Sequence, residues 1–113
     1  MVIIYHNPRC SKSRQALEFL KQKNIKPEVI LYLKDGLEIQ EIKNILQLTN
    51  LSPRQIIRNS EAEYKENNLD DEISDDKLIK IITQIPKLLQ RPIVINNQKA
   101  IIARPAEKIL EIL

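Results

Sequence analysis

Cys10 is the single cysteine of a 113-residue chain, and the residues around it are of the types that turn a thiol into a nucleophile. His6, Arg9, Lys12, Ser13 and Arg14 are all donors or cations, and no carboxylate appears until Glu18. A thiol reacts as its thiolate, a form favoured by nearby cations and by the unpaired N–H groups and dipole of a helix N-terminus. Consecutive backbone N–H groups in such a loop could also cradle a small oxyanion. A lone cysteine is more often a small buried hydrophobe. Against that, Cys10 is flanked by Arg9, Ser11 and Lys12 rather than by apolar residues, and it follows the Asn7-Pro8 loop. Taken singly, His6 could as well be a strand-end hydrogen-bonding residue, and Arg9 or Lys12 solvated surface. Ser13 occupies the position three residues on where a dithiol motif would carry its second cysteine. Any disulfide at Cys10 must therefore form with another molecule, such as glutathione, and be resolved by an external thiol.

The elements that would hold this loop can be read along the chain. Val2 to Tyr5 is a short β-branched and aromatic run that reads as a buried strand feeding the loop. From Ser11 to about Lys23, Ala16, Leu17, Phe19 and Leu20 fall on one helical face, which puts Cys10 near a helix N-terminus. A second strand is expected over Glu28 to Leu33, completing a βαβ unit with parallel strands and a right-handed crossover. Ile39, Ile42, Ile45 and Leu46 have helical spacing, and Ser52-Pro53 reads as an N-cap followed by proline at the first helical position. Ser74 caps a third helix with Asp75 and Asp76 in its first turn and Leu78, Ile79, Ile81, Ile82 and Ile85 as its buried side, ended by Pro86. Ile93 to Ile95 and Ala100 to Ala103, flanking the polar turn Asn96-Asn97-Gln98-Lys99, form the pattern of an antiparallel hairpin. A last helix is expected from Pro105, carrying Ile109, Leu110, Ile112 and Leu113. The order β-α-β, helical insert at about 35–90, β-β-α gives an α/β fold with a mixed four-stranded sheet, and residues 1–113 form one domain because two cores would each be too small.

Composition narrows the function. Eighteen Lys and Arg against 15 Asp and Glu give a net charge of +3, too small to imply a nucleic-acid surface. One Phe and three Tyr leave few platforms for base stacking, so no nucleic-acid partner is expected. A single cysteine in a domain this small favours a reducing compartment. No leader pattern opens the chain and no apolar run approaches the roughly 20 residues needed to span a bilayer, so a cytoplasmic protein without a membrane partner is expected.

The segment Tyr5-His6-Asn7-Pro8-Arg9-Cys10-Ser11-Lys12-Ser13-Arg14 resembles the active-site signature of the glutaredoxin-dependent arsenate reductase family. The resemblance continues through Ile30-Leu31-Tyr32-Leu33, Ile56-Ile57-Arg58-Asn59, Gln90-Arg91-Pro92-Ile93-Val94 and Ala103-Arg104-Pro105. It implies a thioredoxin-like fold with a helical insert. It implies that Cys10 attacks arsenate, that Arg58, Arg91 and Arg104 hold the oxyanion, that His6 helps lower the thiol pKa, and that Ser13 hydrogen-bonds near the sulfur. Glutathione would then attack the thiol–arsenate adduct, a glutaredoxin would remove the glutathione, and As(III) would leave as arsenite. Arginine suits such a site because its planar fork donates two bonds to adjacent oxygens and keeps its charge. Glutathione enters as a co-substrate, no bound cofactor or metal is expected, and the protein is expected to act as a monomer. In thioredoxin-like proteins a cis proline usually precedes the third sheet strand, so Pro92 is expected to be cis, with Arg91 beside Cys10. Two alternatives share the fold: a glutathione-linked thiol transferase of another substrate, and a redox-sensing regulator that binds RNA polymerase. The regulators typically carry a cysteine pair where this chain has Cys10 and Ser13, and lack an Arg-Pro at Arg104-Pro105. Phosphatase-like arsenate reductases are disfavoured, because their loop places five residues between Cys and Arg, whereas Arg14 follows Cys10 by four positions.

Overall fold

The computed structural model describes residues 1–113. Strand β1 (Val2–Tyr5) leads through the Cys10 loop into helix α1 (Ser11–Gln22), and β2 (Glu28–Ile30) returns parallel to β1 with Tyr5 opposite Ile30. Between β2 and the next strand run α2 (Tyr32–Asp35), α3 (Ile39–Thr49), α4 (Pro53–Ile56), α5 (Ala62–Glu66), α6 (Asp75–Gln84) and a 3-10 turn at Pro86–Leu88. The hairpin β3 (Ile93–Asn96) and β4 (Lys99–Ile102) follows, and a second 3-10 segment, Ala106–Ile112, closes the chain. The strand order is β2-β1-β3-β4, with β3 antiparallel to both β1 and β4. This is the mixed, thioredoxin-like sheet expected.

Alternation along the central strands builds a core on each face of the sheet. Tyr5, Ile93 and Ile95 face the helices between β2 and β3, packing with Tyr32, Ile42, Ile45, Ile56 and Leu78. Val2, Ile4 and Val94 face the other way, against Ala16 and Leu20 of α1 and Ala106, Ile109 and Ile112 of the last segment. Because both faces are covered, the strands read as continuous apolar runs.

Several local features differ from the expectations. β2 ends at Ile30, and Leu31-Tyr32-Leu33 leaves the sheet to start α2, whose end is turned by Gly36 at φ 83°. The Ile-Leu-Tyr-Leu run carries a strand-like residue preference, but Tyr32 buries its ring in the core beneath the helices. The hairpin turn is two residues, Asn97-Gln98, with Asn97 at φ 56°, since Asn96 and Lys99 pair within the ladder. In α6, Leu78, Ile79 and Ile82 are buried while Ile81 and Ile85 pack at the margin. The last segment is 3-10 in geometry, and Leu110 and Leu113 are exposed. The short helices α2 and α5 were not expected. Arg54 holds the region after α5 in place, donating to the Tyr64 hydroxyl at 3.0 Å, to the Leu69 carbonyl and to the Asp71 carbonyl at 3.1 Å.

Candidate active site

The site lies at one end of the sheet, where β1 and β2 finish and β3 begins, the end at which open α/β sheets present ligand crevices. Tyr5 is opposite Ile93, so the loop after β1 and the Arg91-Pro92 step before β3 emerge side by side. A short antiparallel bridge of Ile57 with Leu89 does the same for Arg58. The Arg58 N–H donates to the Leu88 carbonyl and the Gln90 N–H to the Ile56 carbonyl, each at 2.7 Å. The β3–β4 ladder extends past its last strand pair through an Ala103 N–H bond to the Pro92 carbonyl at 2.9 Å, which sets Arg104 next to Arg91. Three backbone pairings thus gather residues that are far apart in sequence. The Arg91–Pro92 bond is cis, as expected, and so is Arg104–Pro105.

Cys10 is the N-cap of α1 and is partly exposed. Its N–H donates to the Asn7 carbonyl at 3.0 Å and its own carbonyl accepts from Arg14. Burial alone would raise the thiol pKa. The backbone N–H groups of Ser13 and Lys12 and the guanidinium of Arg91 outweigh that effect and hold it below the usual value of 9.0. The thiolate is therefore favoured by helix N-terminal amides and one arginine, as the surroundings of Cys10 led us to expect.

The side chains of His6 and Ser13 support the loop. The fully buried Ser13 hydroxyl accepts from the Asn7 N–H at 3.0 Å and pairs with His6 Nδ1 at 2.7 Å. Burial, with Arg14 and Lys21 adding repulsion, pushes the His6 ring below the usual histidine value, so it is neutral at pH 7 and carries no charge with which to stabilise the thiolate. The groups acting most strongly on the sulfur include the Ser13 main chain and Arg91, while the His6 ring is engaged with the Ser13 hydroxyl. Replacing Ser13 with alanine leaves a buried N–H and a ring nitrogen unpaired. We expect that variant to lose about 2 kcal/mol of stability, seen as a lower urea midpoint with an unchanged slope.

The three arginines form one connected group. Arg91 is the one that acts on Cys10. Arg58 joins it through Glu61, whose Oε1 lies 3.3 Å from Arg58 Nε and 3.2 Å from Arg91 Nη2. Arg104 Nη1 donates to the Arg91 carbonyl at 3.3 Å. Arg91 Nη1 in turn donates to the Lys87 carbonyl at 3.3 Å. Arg9 and Lys12 are exposed, and Arg14 donates to the Pro8 carbonyl at 2.8 Å, bracing the loop from outside.

Two residues of the site were not singled out from sequence. Tyr32 is wholly buried, its hydroxyl has no hydrogen-bond partner, and it feels the charges of Arg91, Cys10 and Arg58. Burial pushes its pKa up to about 12 despite the pull of Arg91, so it remains a neutral donor. Glu61 precedes α5 and had no sequence signal, because a glutamate in a polar stretch reads as solvated surface. Together the site offers a stabilised thiolate and a set of guanidinium donors beside it, an arrangement able to bind a small oxyanion and attack it.

The ArsC family model matches residues 5–112. The uncharacterized protein YfgD of Escherichia coli is 46% identical over 113 residues, covering 98% of this chain and 95% of that one. An arsenate reductase of Haemophilus influenzae is 45% identical over 114 residues, covering 99% and 98%. Among solved structures, an arsenate reductase from Vibrio cholerae superimposes with a TM-score of 0.96 at 46% identity, over 99% of this chain and 97% of that one. A family model that matches from Tyr5 to Ile112, together with relatives 45–46% identical over nearly the full chain, leaves one assignment: the chain belongs to the ArsC family.

Proposed function

We propose that the protein is a thiol oxidoreductase that reduces arsenate, with Cys10 as nucleophile, Arg58, Arg91 and Arg104 as oxyanion ligands, and glutathione with a glutaredoxin as the reducing system. The observation that carries the reading is the placement of Arg91, linked to Arg58 and Arg104, against a thiol whose ionised form is favoured. Similarity to arsenate reductases at 45–46% identity supports the substrate. The solitary cysteine supports an external thiol, since the chain has no second thiol to resolve Cys10.

The Cys10 thiolate attacks As(V), a protonated arsenate oxygen leaves as water or hydroxide, and an S–As(V) adduct forms among the arginines. A glutathione thiolate then attacks the Cys10 sulfur. The S–As electron pair passes to arsenic, arsenite is released, and the two electrons gained by arsenic are matched by a Cys10–glutathione disulfide. A glutaredoxin thiol removes the glutathione and regenerates Cys10. Charge-assisted bonds from the arginines, each contributing about 1.5–3 kcal/mol, offset the repulsion between thiolate and oxyanion in the first step.

The test is turnover of arsenate by the full chain with glutathione plus glutaredoxin, against thioredoxin, and against a glutathione mixed disulfide as substrate. Arsenate reduction that requires glutathione and glutaredoxin is the expected result. Rapid turnover of the mixed disulfide with none of arsenate would replace this reading with that of a thiol transferase.

A further inference from the structure

The cradle beside Cys10 already contains an anion. Glu61 Oε1 lies 3.3 Å from Arg58 Nε and accepts a hydrogen bond from Arg91 Nη2 at 3.2 Å, so one carboxylate oxygen is shared by two guanidinium groups from distant parts of the chain. All three side chains are largely shielded, with 23% of Glu61, 16% of Arg58 and 13% of Arg91 exposed. A neighbouring pair shows the contrast: Glu63 meets Lys87 at 3.6 Å, where the lysine is 60% exposed and solvated.

Glu61 does not satisfy the donors around it. Arg58 Nε, Arg91 Nε and the Tyr32 hydroxyl are buried without a well-formed hydrogen bond. Buried donors left in this way are costly. Glu61 brings a single engaged oxygen to a place that offers donors for several, whereas a tetrahedral oxyanion brings four. The charges agree: with Cys10 ionised, Glu61 and the sulfur set two negative charges against the three of Arg58, Arg91 and Arg104. That leaves a cage only weakly attractive to a monovalent anion and still attractive to a dianion.

We infer that Glu61 is a tethered internal anion that fills the oxyanion cradle at rest and is displaced by substrate, so that it decides which anions enter. This rests on the reading of the arginine group as an oxyanion site and adds to it. An incoming halide or monocarboxylate would exchange one single-charge contact for another and gain nothing. A dianionic tetrahedral oxyanion engages the unpartnered donors as well, and so displaces Glu61. The residue touches the binding arginines and not the reacting sulfur; it is a specificity-determining residue.

The test compares the full-length wild type with Glu61→Gln and Glu61→Asp. Dissociation constants for arsenate, sulfate and acetate are measured by protection of Cys10 from alkylation and by calorimetry, and the titration of Cys10 is followed by thiolate absorbance. The charged and titratable groups around the sulfur are Arg91, which acts on it directly, Tyr32, and, through Glu61 and the Arg91 carbonyl, Arg58 and Arg104. Glu61→Gln should bind arsenate and sulfate on the order of tenfold more tightly, through loss of a nearby negative charge. It should also bind acetate measurably and titrate Cys10 at lower pH. Glu61→Asp keeps the charge but shortens the reach to both guanidiniums, and should fall between. Oxyanion binding that is unchanged or weaker in Glu61→Gln would overturn the inference, making Glu61 a brace for the arginines. If neither wild type nor Glu61→Gln bound any oxyanion, the site reading itself would fail. In that case, a lower Cys10 titration in Glu61→Gln would still uphold Glu61 as the charge opposing the thiolate, and an unchanged one would remove it.

Discussion

Cys10→Ser should abolish arsenate reduction while leaving the fold intact. The N-cap position accepts serine readily, and Cys10 makes its loop contacts through main-chain atoms that serine keeps. The chemistry does not survive the exchange. A hydroxyl is not ionised near neutral pH, and an S–As adduct and a mixed disulfide both require sulfur. Loss of a nucleophile typically lowers turnover by several powers of ten, so a fall of at least about 10³-fold in kcat is expected. Steady-state assay with glutathione and glutaredoxin, alongside an unchanged circular dichroism spectrum, checks it. Activity retained in this variant would remove the nucleophile from the mechanism.

Arg91→Lys comes second, because the Arg91 side chain does two things that a point charge cannot combine. It acts on the Cys10 sulfur, and it meets Glu61 through Nη2 and the Lys87 carbonyl through Nη1. Lysine preserves the charge and loses the fork that can hold two oxygens at once. Removing one donor from a preorganised oxyanion site typically costs about 10²–10³ in rate, or roughly 2.7–4 kcal/mol. We expect kcat/KM for arsenate to fall by that amount, and the Cys10 titration to move upward. Arg58→Lys provides the comparison. Arg58 meets Arg91 only through Glu61 and lysine keeps its charge, so the exchange should weaken arsenate binding and leave the Cys10 titration close to wild type.

Much of the fold was legible because its signals are local. The β-branched run of Val2 to Tyr5 and the Ser74 cap with its acidic first turn each announced their element, and β1 starts and stops where expected. What failed were places where tertiary packing overrides residue preference. Tyr32 looks like a strand residue, yet its ring is taken into the core under the helices and pulls the chain out of the sheet after Ile30. The last segment has the apolar residues of a helix but winds as 3-10, burying Ile109 and Ile112 and leaving Leu110 outside.

At the site, the nucleophile could be found from its immediate neighbours, whereas the arginines could not be told from surface residues by spacing and came only from the joint resemblance. Their convergence depends on the Ile57–Leu89 bridge and on the extension of the hairpin to Ala103, which are long-range pairings with no local mark. His6 shows what residue type alone leaves out. An imidazole four residues before a cysteine suggests a donor or cation for the thiolate, and only the fold reveals its burial and its bond to the Ser13 hydroxyl, which make it part of the loop's framework. Glu61 was invisible for the opposite reason, since its importance lies in the two partners it bridges.

The most direct measurement is the rate of Cys10 alkylation by iodoacetamide as a function of pH, with and without arsenate. If helix N-terminal amides and Arg91 hold the sulfur as a thiolate beside an oxyanion cradle, the midpoint lies below the ordinary 9.0 and arsenate slows the reaction. A midpoint at or above that value, with the same rate whether or not arsenate is present, would contradict both.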